Sequence, residues 1–313
     1  MNLFVSLRYL IALDDHRHFG RAALACHVTQ PALSNALRAL EANFGTSIVK
    51  RGRNFAGFTP EGERVLVSAR RIVREQELLR QDLESRAGKP QGQLLIGAVP
   101  TAMPIAARFA AMLQEAHPGI EVTLRSLSSI ELETGLESLA LDMGLGYVER
   151  GDTGSAHLRV VPQYTEHYYL LRRRPEAQPL GHARTDMTWA EAASLRLCLL
   201  SAEMHNRTIV DRAFRSVGCQ VNPAIETNSP MTLVLGVVAG RVCSVLPGAL
   251  LEITRGYPDL EALALTEPLV EVPIAFLVHE TNRPSRTLEA ALAFAQDPVW
   301  LGQAARHAGR LLA

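Results

Sequence analysis

The first ninety residues have the hydrophobic periodicity of α-helices. Apolar residues recur three and four positions apart over residues 2–13 and again over residues 19–43. Thr29 is a good N-cap, Pro31 suits a first helical turn, and Gly45 follows the last helical position. The pattern predicts one helix followed by a helix-turn-helix, whose second helix starts at Thr29.

The second helix of this pair has one apolar face and one polar face. Leu33, Leu37 and Leu40 share the apolar face at helical spacing. The opposite face is small and polar with one cation, and it suits a major groove because Asn, Arg and Ser side chains can pair with base edges. We therefore predict DNA contacts from this face and from the helix start: Thr29, Gln30, Pro31, Ser34, Asn35 and Arg38.

A solvated amphipathic helix on an ordinary helical domain would show the same two faces. His27 weakens the motif, because many such turns have glycine there. The next segment favours DNA binding, since residues 46–58 alternate apolar and basic residues around two glycines, as a short two-stranded wing does. The wing would place cations against phosphates, which give affinity without sequence information. These cations are Lys50, Arg51 and Arg53.

A long helix is predicted over residues 59–87. Thr59, Pro60 and Glu61 provide an N-cap, a first-turn proline and an acid near the positive end of the helix dipole. So thin an apolar seam on a long helix calls for a partner helix, and we expect a second copy of this chain. Docking against the C-terminal domain is the alternative. The seam follows heptad spacing through Val65, Ala69, Ile72, Leu79 and Leu83.

The period changes after Gln93, where short apolar runs alternate with helical segments. This alternation predicts a mostly parallel α/β sheet, with two lobes and a cleft between them. The predicted strands are 94–99, 120–127, 143–148, 168–172, 197–200, 221–226, 243–246 and 269–278; the predicted helices are 104–116, 130–139, 207–217, 231–239 and 286–295.

Length and charge indicate two or three domains of different chemistry. A chain of 313 residues can bury a core in each of them. Residues 1–92 contain 14 Lys and Arg against 9 Asp and Glu, a net charge of +5, whereas the remainder contains 18 against 23, a net charge of −5. A basic head and an acidic body fit a polyanion-binding module attached to something else.

Cysteine usage and apolar runs predict a cytoplasmic protein. The four cysteines form no CxxC pair, which is typical of free thiols in the cytoplasm. No apolar run approaches 18 residues and the N-terminus lacks a signal-peptide pattern, so no membrane segment is expected. His16 and His18 form an HxH without a third ligand nearby, which favours a solvated loop over a metal site.

Several segments together resemble the LysR-type bacterial transcriptional regulators, over essentially the whole chain. The resemblance is most specific in FGRAALACHVTQPALSNALRALE, GTSIVKR and FTPEGERVL, and it continues in HPGIEVTLRS, GLESLALDMGLGYV and LVLGVVAGRVCSVLP. Ile48 and Val49 stand where members commonly have Leu-Phe, and Asn35 stands where a charged or larger polar residue is frequent. The Asn35 departure bears on base preference.

The resemblance implies a fold and a set of partners. It implies an N-terminal all-α winged helix-turn-helix, a dimerising linker helix, a hinge, and a two-lobed, Rossmann-like α/β effector domain similar to periplasmic solute-binding proteins. It also implies double-stranded DNA, a small-molecule effector, RNA polymerase and further copies of the chain as partners, with homodimers joined through the linker helix and assembled into tetramers. No cofactor is implied. The implied boundaries are 1–58, 59–87, 88–92 and 93–313, with lobe I at 93–162 and 269–300 and lobe II at 163–268.

Polar residues at several helix starts are candidates for binding the effector. They would converge on the cleft and would suit a small anion or carboxylate, although each alone fits ordinary N-capping. His205 and Arg207 could supply charge at the mouth, and a surface position is the alternative for both. The candidates are Thr101, Ser128, Ser129, His205, Thr227, Asn228 and Ser229.

Other functional classes find less support in the residues. No nucleophile elbow, P-loop, HExxH or Rossmann fingerprint is present, so neither an enzyme nor a metal site is predicted. A small-molecule-binding protein or enzyme of the same fold with a non-specific DNA anchor is the alternative reading. A thiol redox sensor would use Cys198 and Cys219, but the apolar strand around Cys198 favours a buried, inert thiol.

Overall fold

The structure is a computed structural model that describes residues 2–50, 55–84, 90–148, 157–175, 185–280 and 284–308. The chain forms two units, one within residues 1–88 and a larger one from residues 89–136 and 141–313. Each unit buries its own hydrophobic core. Among the described residues, no helix combines the length and the apolar character needed to cross a bilayer.

The described part of the N-terminal unit folds as helices and a short hairpin base. The helices are α1 (Leu3–His16), α2 (Phe19–Ala25), α3 (Gln30–Phe44) and α4 (Pro60–Glu84). Helices α1 and α3 bury leucines at helical spacing in one shared core, as the periodicity predicts, and α2 adds Ala22 and Ala23. These leucines are Leu7, Leu10, Leu13, Leu33, Leu37 and Leu40.

The turn between α2 and α3 contains His27 in the left-handed region, with φ 55°. Histidine is among the residues enriched there, so the turn forms without the usual glycine. Both predicted caps of α3 are present: the Thr29 side chain accepts a hydrogen bond from the Ala32 N–H at 3.4 Å, and Gly45 ends the helix with φ 65°. His18, half of the HxH pair, caps α2.

The base of the predicted wing is a two-stranded hairpin. Val49 and Phe58 form an antiparallel bridge, and the Lys50 N–H donates to the Gly57 carbonyl at 3.0 Å. The Phe55 ring contacts the Phe58 ring at a centroid distance of 5.1 Å, which adds an apolar contact to the hairpin. Arg51 and Arg53, both predicted to contact DNA, lie outside the described residues.

Helix α4 packs on the N-terminal unit with its first half and exposes apolar side chains on its second half. Leu66 and Ala69 join the core, and Arg70 contacts Asp14 at 2.7 Å and Asp15 at 2.8 Å. The later seam positions are open: Ile72, Leu79 and Leu83 are 49%, 60% and 77% exposed. Residues 85–89, including part of the predicted hinge, lie outside the described residues.

The larger unit is a mixed α/β domain. Its strands are β1 (Gly92–Ala98), β2 (Ile120–Ser126), β3 (Met143–Tyr147), β4 (Leu158–Arg173), β5 (Asp186–Thr188), β6 (Leu197–Leu200), β7 (Ile225–Thr227), β8 (Cys243–Pro247), β9 (Leu260–Thr266) and β10 (Glu271–His279). Its helices are α5 (Met103–Ala116), α6 (Ser129–Glu137), α7 (Trp189–Ala193), α8 (His205–Ser216), α9 (Pro230–Ala239), α10 (Leu251–Thr254), α11 (Arg286–Phe294) and α12 (Pro298–His307).

The sheet runs through both lobes in the order β2-β1-β3-β10-β4-β8-β6-β7, and β9 pairs with β4 and β5. Strand β4 belongs to both lobes. Leu158 to His167 pair with β10, and Tyr168 to Arg173 pair with β8 and β9. The outer pairs β1–β2 and β6–β7 are parallel, whereas β10 runs antiparallel to both β3 and β4.

The prediction of a mostly parallel sheet is therefore wrong at the centre. Only the second half of β4 has the continuous apolar run that indicates a buried strand. The first half alternates in exposure and includes the polar residues Gln163 and Glu166, both buried. Tertiary packing, rather than local propensity, extends this strand from one lobe into the other.

Candidate nucleic-acid interface and effector pocket

The six predicted DNA-contacting residues lie at the start and on the outer face of α3, and together they are called the recognition face below. Thr29, Gln30, Pro31, Asn35 and Arg38 are exposed, and Ser34 is half-buried. The opposite face of α3 is closed, because its leucines are in the core. The helix therefore presents polar side chains on a rigid support, as base reading in a major groove requires.

Two side chains of the recognition face are already paired with each other. The Arg38 guanidinium donates to Asn35 Oδ1 at 3.0 Å, across one helical turn. Both residues are exposed, and Arg38 keeps further N–H donors while Asn35 keeps its amide N–H donors. The pair thus forms one unit of donors and acceptors rather than two independent groups.

The wing base is held against α3 by Glu41. Its Oε1 accepts the backbone N–H groups of Ile48 at 2.9 Å and Val49 at 3.1 Å. This contact places exposed Lys50 beside the recognition face, across a groove of about 210 Å³. The groove is lined by Phe19, Ser34, Leu37, Arg38, Glu41, Val49 and Lys50.

The start of α4 closes the wing from its other side. The Thr59 hydroxyl donates to the Ser47 carbonyl at 2.6 Å and accepts the Gly62 N–H at 2.9 Å. Gly62 lies so close to the Ile48 carbonyl that a Cβ at this position would overlap backbone atoms. The segment FTPEGERVL therefore fits the hairpin because it contains glycine at this position.

The larger unit has a small polar pocket between its lobes, called the effector pocket below. It leaves about 10 Å³, room for one water-sized molecule. Its walls come from the ends of β1 and β3, the start of α6 and the start of α8. The lining residues are Val99, Pro100, Thr101, Ser128, Ser129, Tyr147, Met204, His205 and Asn206.

Four of the seven predicted effector residues are in this wall, and three are not. Thr101, Ser128, Ser129 and His205 are lining residues. The segment Thr227, Asn228 and Ser229 precedes α9 outside this wall, and the Thr227 hydroxyl accepts the Ser229 N–H at 3.1 Å. That local turn corresponds to the ordinary capping alternative.

A hydrogen-bonded chain links the lobes across the pocket. The Thr101 and Tyr147 hydroxyls share a hydrogen bond of 2.9 Å. The Asn206 amide donates to Tyr147 Oη at 3.2 Å and to Tyr168 Oη at 3.0 Å. Thr101 and Tyr147 belong to lobe I, and Asn206 begins α8 of lobe II. Sequence reasoning missed Tyr147 and Asn206, because their convergence depends on tertiary structure.

Two of the predicted cleft residues, Ser128 and Arg207, are engaged by carboxylates of their own surroundings. Glu131 accepts the Ser128 N–H at 2.9 Å and its hydroxyl at 2.8 Å, so Ser128 caps α6. Arg207 is buried and its donors are held by Asp211 and Glu226, both at 2.7 Å. Arg207 therefore lies neither at the mouth of the cleft nor on the surface, the two positions that the sequence suggested. Within the described chain, no Lys or Arg lines the pocket.

A buried carboxyl lies close behind this wall. Glu166 on β4 is 0% exposed, and neither carboxyl oxygen has a hydrogen-bond partner among the described residues. Burial raises its pKa to about 8, because desolvation penalises the charged form. The pKa of Tyr147 is raised by burial and then by the charge of Glu166, so the two groups interact electrostatically.

The thiols of the described chain form no disulfide with one another. Burial lowers the reactivity of the two thiols that lie on strands. Burial raises the pKa of Cys198 on β6 and of Cys243 on β8. A raised thiol pKa lowers the thiolate fraction and with it the reactivity. Among the described residues, no cluster of His, Cys, Asp or Glu could hold a metal ion.

Two protein families match the two units. Residues 4–63 match the bacterial regulatory helix-turn-helix proteins of the lysR family, and residues 87–299 match the LysR substrate binding domain. The chain belongs to the LysR family. The family match covers the recognition face, the hairpin and both walls of the effector pocket, and it agrees with the resemblance found in the sequence.

A curated relative of this LysR-family chain is the hydrogen peroxide-inducible genes activator of Dickeya chrysanthemi. The two are 36% identical over 140 residues, which is 44% of this chain and 46% of the relative. The chain thus spans about half the length of the curated relatives it matches most strongly. A longer match, over 64% of the relative, is to the SDS degradation transcriptional activation protein of a Pseudomonas strain, at 34% identity over 63% of this chain.

Solved structures of LysR regulators share the fold of this LysR-family chain. A single-residue variant of full-length OxyR from Pseudomonas aeruginosa has a TM-score of 0.71 at 23% identity, over 94% of this chain and 97% of that one. Full-length CbnR complexed with its target DNA has a TM-score of 0.64 at 21% identity, over 93% and 99%. At these identities the likeness concerns the fold.

Proposed function

We propose that this chain is a sequence-specific DNA-binding transcriptional regulator of the LysR type. The recognition face carries the proposal, because Asn35 and Arg38 are exposed, paired and mounted on a closed helix core. Thr29, Gln30, Pro31 and Ser34 would complete the contact in the major groove, and Lys50, Arg51 and Arg53 would bind phosphates. Activation of target genes and repression of its own gene are the expected outputs, with RNA polymerase as partner and the cytoplasm as location.

A mobility-shift titration tests the DNA-binding proposal. Purified protein is titrated on its own upstream DNA and on random DNA of equal length, at physiological salt, and the complexes are sized. Specific regulators bind their sites about 10³–10⁷-fold more tightly than random DNA. Equal affinity for both DNAs would support the alternative, a small-molecule-binding protein with a non-specific anchor.

We propose that the regulator assembles through α4, as a homodimer that forms tetramers. The support is the seam of Ile72, Leu79 and Leu83, which is exposed in one chain and follows the spacing of helix pairing. The first half of α4 is already covered by its own unit, so the second half is the part that would contact a second copy. Domain boundaries at 58, 87 and 92 remain predictions.

We propose that a small anionic metabolite binds at the effector pocket when the lobes open, since the closed pocket leaves only about 10 Å³, and changes DNA binding or bending. Ser129 supplies a hydroxyl at the start of α6, where the helix dipole favours negative charge. The Thr101 hydroxyl and the Asn206 amide, which are bonded to tyrosine hydroxyls in this structure, would exchange those hydrogen bonds for the anion. Ser128 contributes less than predicted, because Glu131 occupies its donors. A Thr101→Val variant should lose effector response while its affinity for DNA alone is unchanged.

A thiol-based response is the weaker candidate for this chain. Relatives carry names that refer to hydrogen peroxide, but burial raises the pKa of Cys198 here and disfavours the reactive thiolate. We propose that Cys198 and Cys219 have no sensing role. If peroxide leaves the DNA binding of the parent and of the Cys198→Ser, Cys219→Ser double variant unchanged, the result agrees with this proposal. A peroxide response that the parent shows and the double variant lacks would contradict it.

A further inference from the structure

Glu166 is a buried acid that neither the DNA-binding surface nor the effector pocket uses. It lies on β4 where this strand passes from one lobe to the other, and both of its oxygens are without partners among the described residues. A buried polar group in that state is unusual, because most buried carboxyl oxygens are hydrogen-bonded. The placement therefore calls for a physical explanation.

Strand register places Glu166 close to the pocket wall. Ile274 of β10 pairs with Tyr147 of β3 on one side and with Tyr164 of β4 on the other. Directly paired residues point to the same face of a sheet, so the two tyrosine side chains share one face. Glu166 is two residues beyond Tyr164 on the same strand and has Val272 opposite it. It therefore belongs to the face that includes Tyr147, a lining residue of the effector pocket.

The titratable groups around Glu166 are hydroxyls rather than cations. Its charge raises the pKa of Tyr147 and of Tyr164, and the Tyr164 hydroxyl is itself buried without a partner. On the same side of the sheet, the His205 ring contacts the Tyr147 ring at a centroid distance of 4.7 Å and a tilt of 54°. His167, the next residue on β4, lies 3.8 Å from Glu271. Burial is the cause of the raised pKa of Glu166, so the acid keeps its proton at neutral pH.

We propose that effector binding is linked to the protonation of Glu166: the pocket accepts its anion while this carboxyl is neutral, and ionisation of the carboxyl expels the anion. The proposal rests on the proposed anionic effector. Its physical basis is that like charges repel strongly where water is excluded. The field of Glu166 already reaches Tyr147 in the pocket wall, so it also reaches an anion bound against that wall.

Sulfate is a suitable probe, because it keeps two negative charges over the whole range from pH 6.5 to 9. The full-length protein is titrated calorimetrically with sodium sulfate at several pH values, with sodium chloride holding ionic strength constant. We expect the affinity to fall about threefold to tenfold as pH rises through 8; tenfold corresponds to one pKa unit of coupling. The Glu166→Gln variant has a neutral side chain of the same shape, and its sulfate affinity should not change with pH.

Two variants separate the possible failures. Tyr164→Phe keeps the acid but removes the adjacent hydroxyl, so it should retain the pH dependence of the parent. An equal pH dependence in the parent and in Glu166→Gln would overturn the proposal and point to His205, and a pH-independent parent would also overturn it. Sulfate binding that is absent, or that Thr101→Val leaves unchanged, would instead refute the proposed anion site and, with it, the linkage.

Discussion

At the scale of single residues, the molecule separates exposed side chains that we propose read DNA from side chains that hold the fold. On α3 the exposed Asn35 and Arg38 are bonded to each other, whereas Glu41, one turn further along, accepts two backbone N–H groups of the hairpin. In the larger unit, Arg207 is built into its own lobe, and Glu166 has no hydrogen-bond partner in the part of the chain that the structure describes. Residue type alone did not distinguish these roles.

Substitution of the recognition pair should reduce specific binding. Asn35→Ala and Arg38→Ala should each cost about 1–3 kcal/mol on the specific site, because each removes hydrogen bonds to base edges. The two losses should not add, since either change also frees the partner from the Asn35–Arg38 hydrogen bond. Mobility shifts on specific and random DNA measure this. The same loss on both DNAs would show that the pair contacts the backbone rather than the bases.

The stability of the larger unit should fall with rising pH because of Glu166. The acid titrates near 4.5 when unfolded and near 8 when folded. Below pH 4.5 both states are protonated and the stabilisation is complete; between 4.5 and 8 the unfolded state alone loses its proton, and the free energy of unfolding declines. A pKa difference of about 3.5 units corresponds to a loss of about 5 kcal/mol. Denaturant unfolding of the parent and of Glu166→Gln at pH 5 and 9 measures it, and parallel curves would contradict it.

At the scale of elements, predictability followed the local strength of the signal. α3 has a cap, a first-turn proline, an apolar face and a terminal glycine, and the structure confirms each of them. β9 was missed because its Ala and Leu residues favour a helix as much as a strand, and pairing with β4 decides its conformation. The effector pocket was half predicted: helix starts can be located from sequence, but Tyr147 and Asn206 meet only through the fold.

The junction of the wing and α4 should tolerate no side chain at Gly62. A Gly62→Ala change should destabilise the N-terminal unit by about 1–3 kcal/mol, because the added methyl would overlap the Ile48 carbonyl. Gly302→Ala in α12 is the matched control: its Cβ would meet open space, and alanine should stabilise that helix by roughly 0.5–1 kcal/mol. Thermal unfolding of both variants measures the difference. A Gly62→Ala protein as stable as the parent would refute the tight contact.

At the scale of the whole molecule, each unit has its own buried core, but each also has a surface feature that suggests a further partner. The second half of α4 leaves apolar side chains exposed, and such a seam on a polar helix favours association. The larger unit, by contrast, closes its lobes over a pocket that has little spare room. The exposed seam is what the proposed pairing with a second copy would cover, and the larger unit would have to open before a larger ligand could enter.

Charge on the exposed seam should abolish self-association. Leu79→Glu and Leu83→Glu place a carboxylate on the apolar surface, so the double variant should sediment as a smaller species than the parent and bind its operator far more weakly. Substitution of exposed Arg71 by Glu is the control for the added charge, since it lies off the seam. Sedimentation velocity decides the outcome. An unchanged assembly of the double variant would place the interface elsewhere.

The sharing of β4 between the lobes limits how the larger unit can move. Within the described chain, the backbone passes between lobes through β4 and through the segment that joins β9 to β10. Two lobes joined by two chain connections retain essentially one degree of freedom, a rotation about the line through the two connections. Any ligand held in the pocket would therefore change a single angle. A mutation in either connection that sets the same angle would therefore reproduce the effect of the ligand in the ligand-free protein.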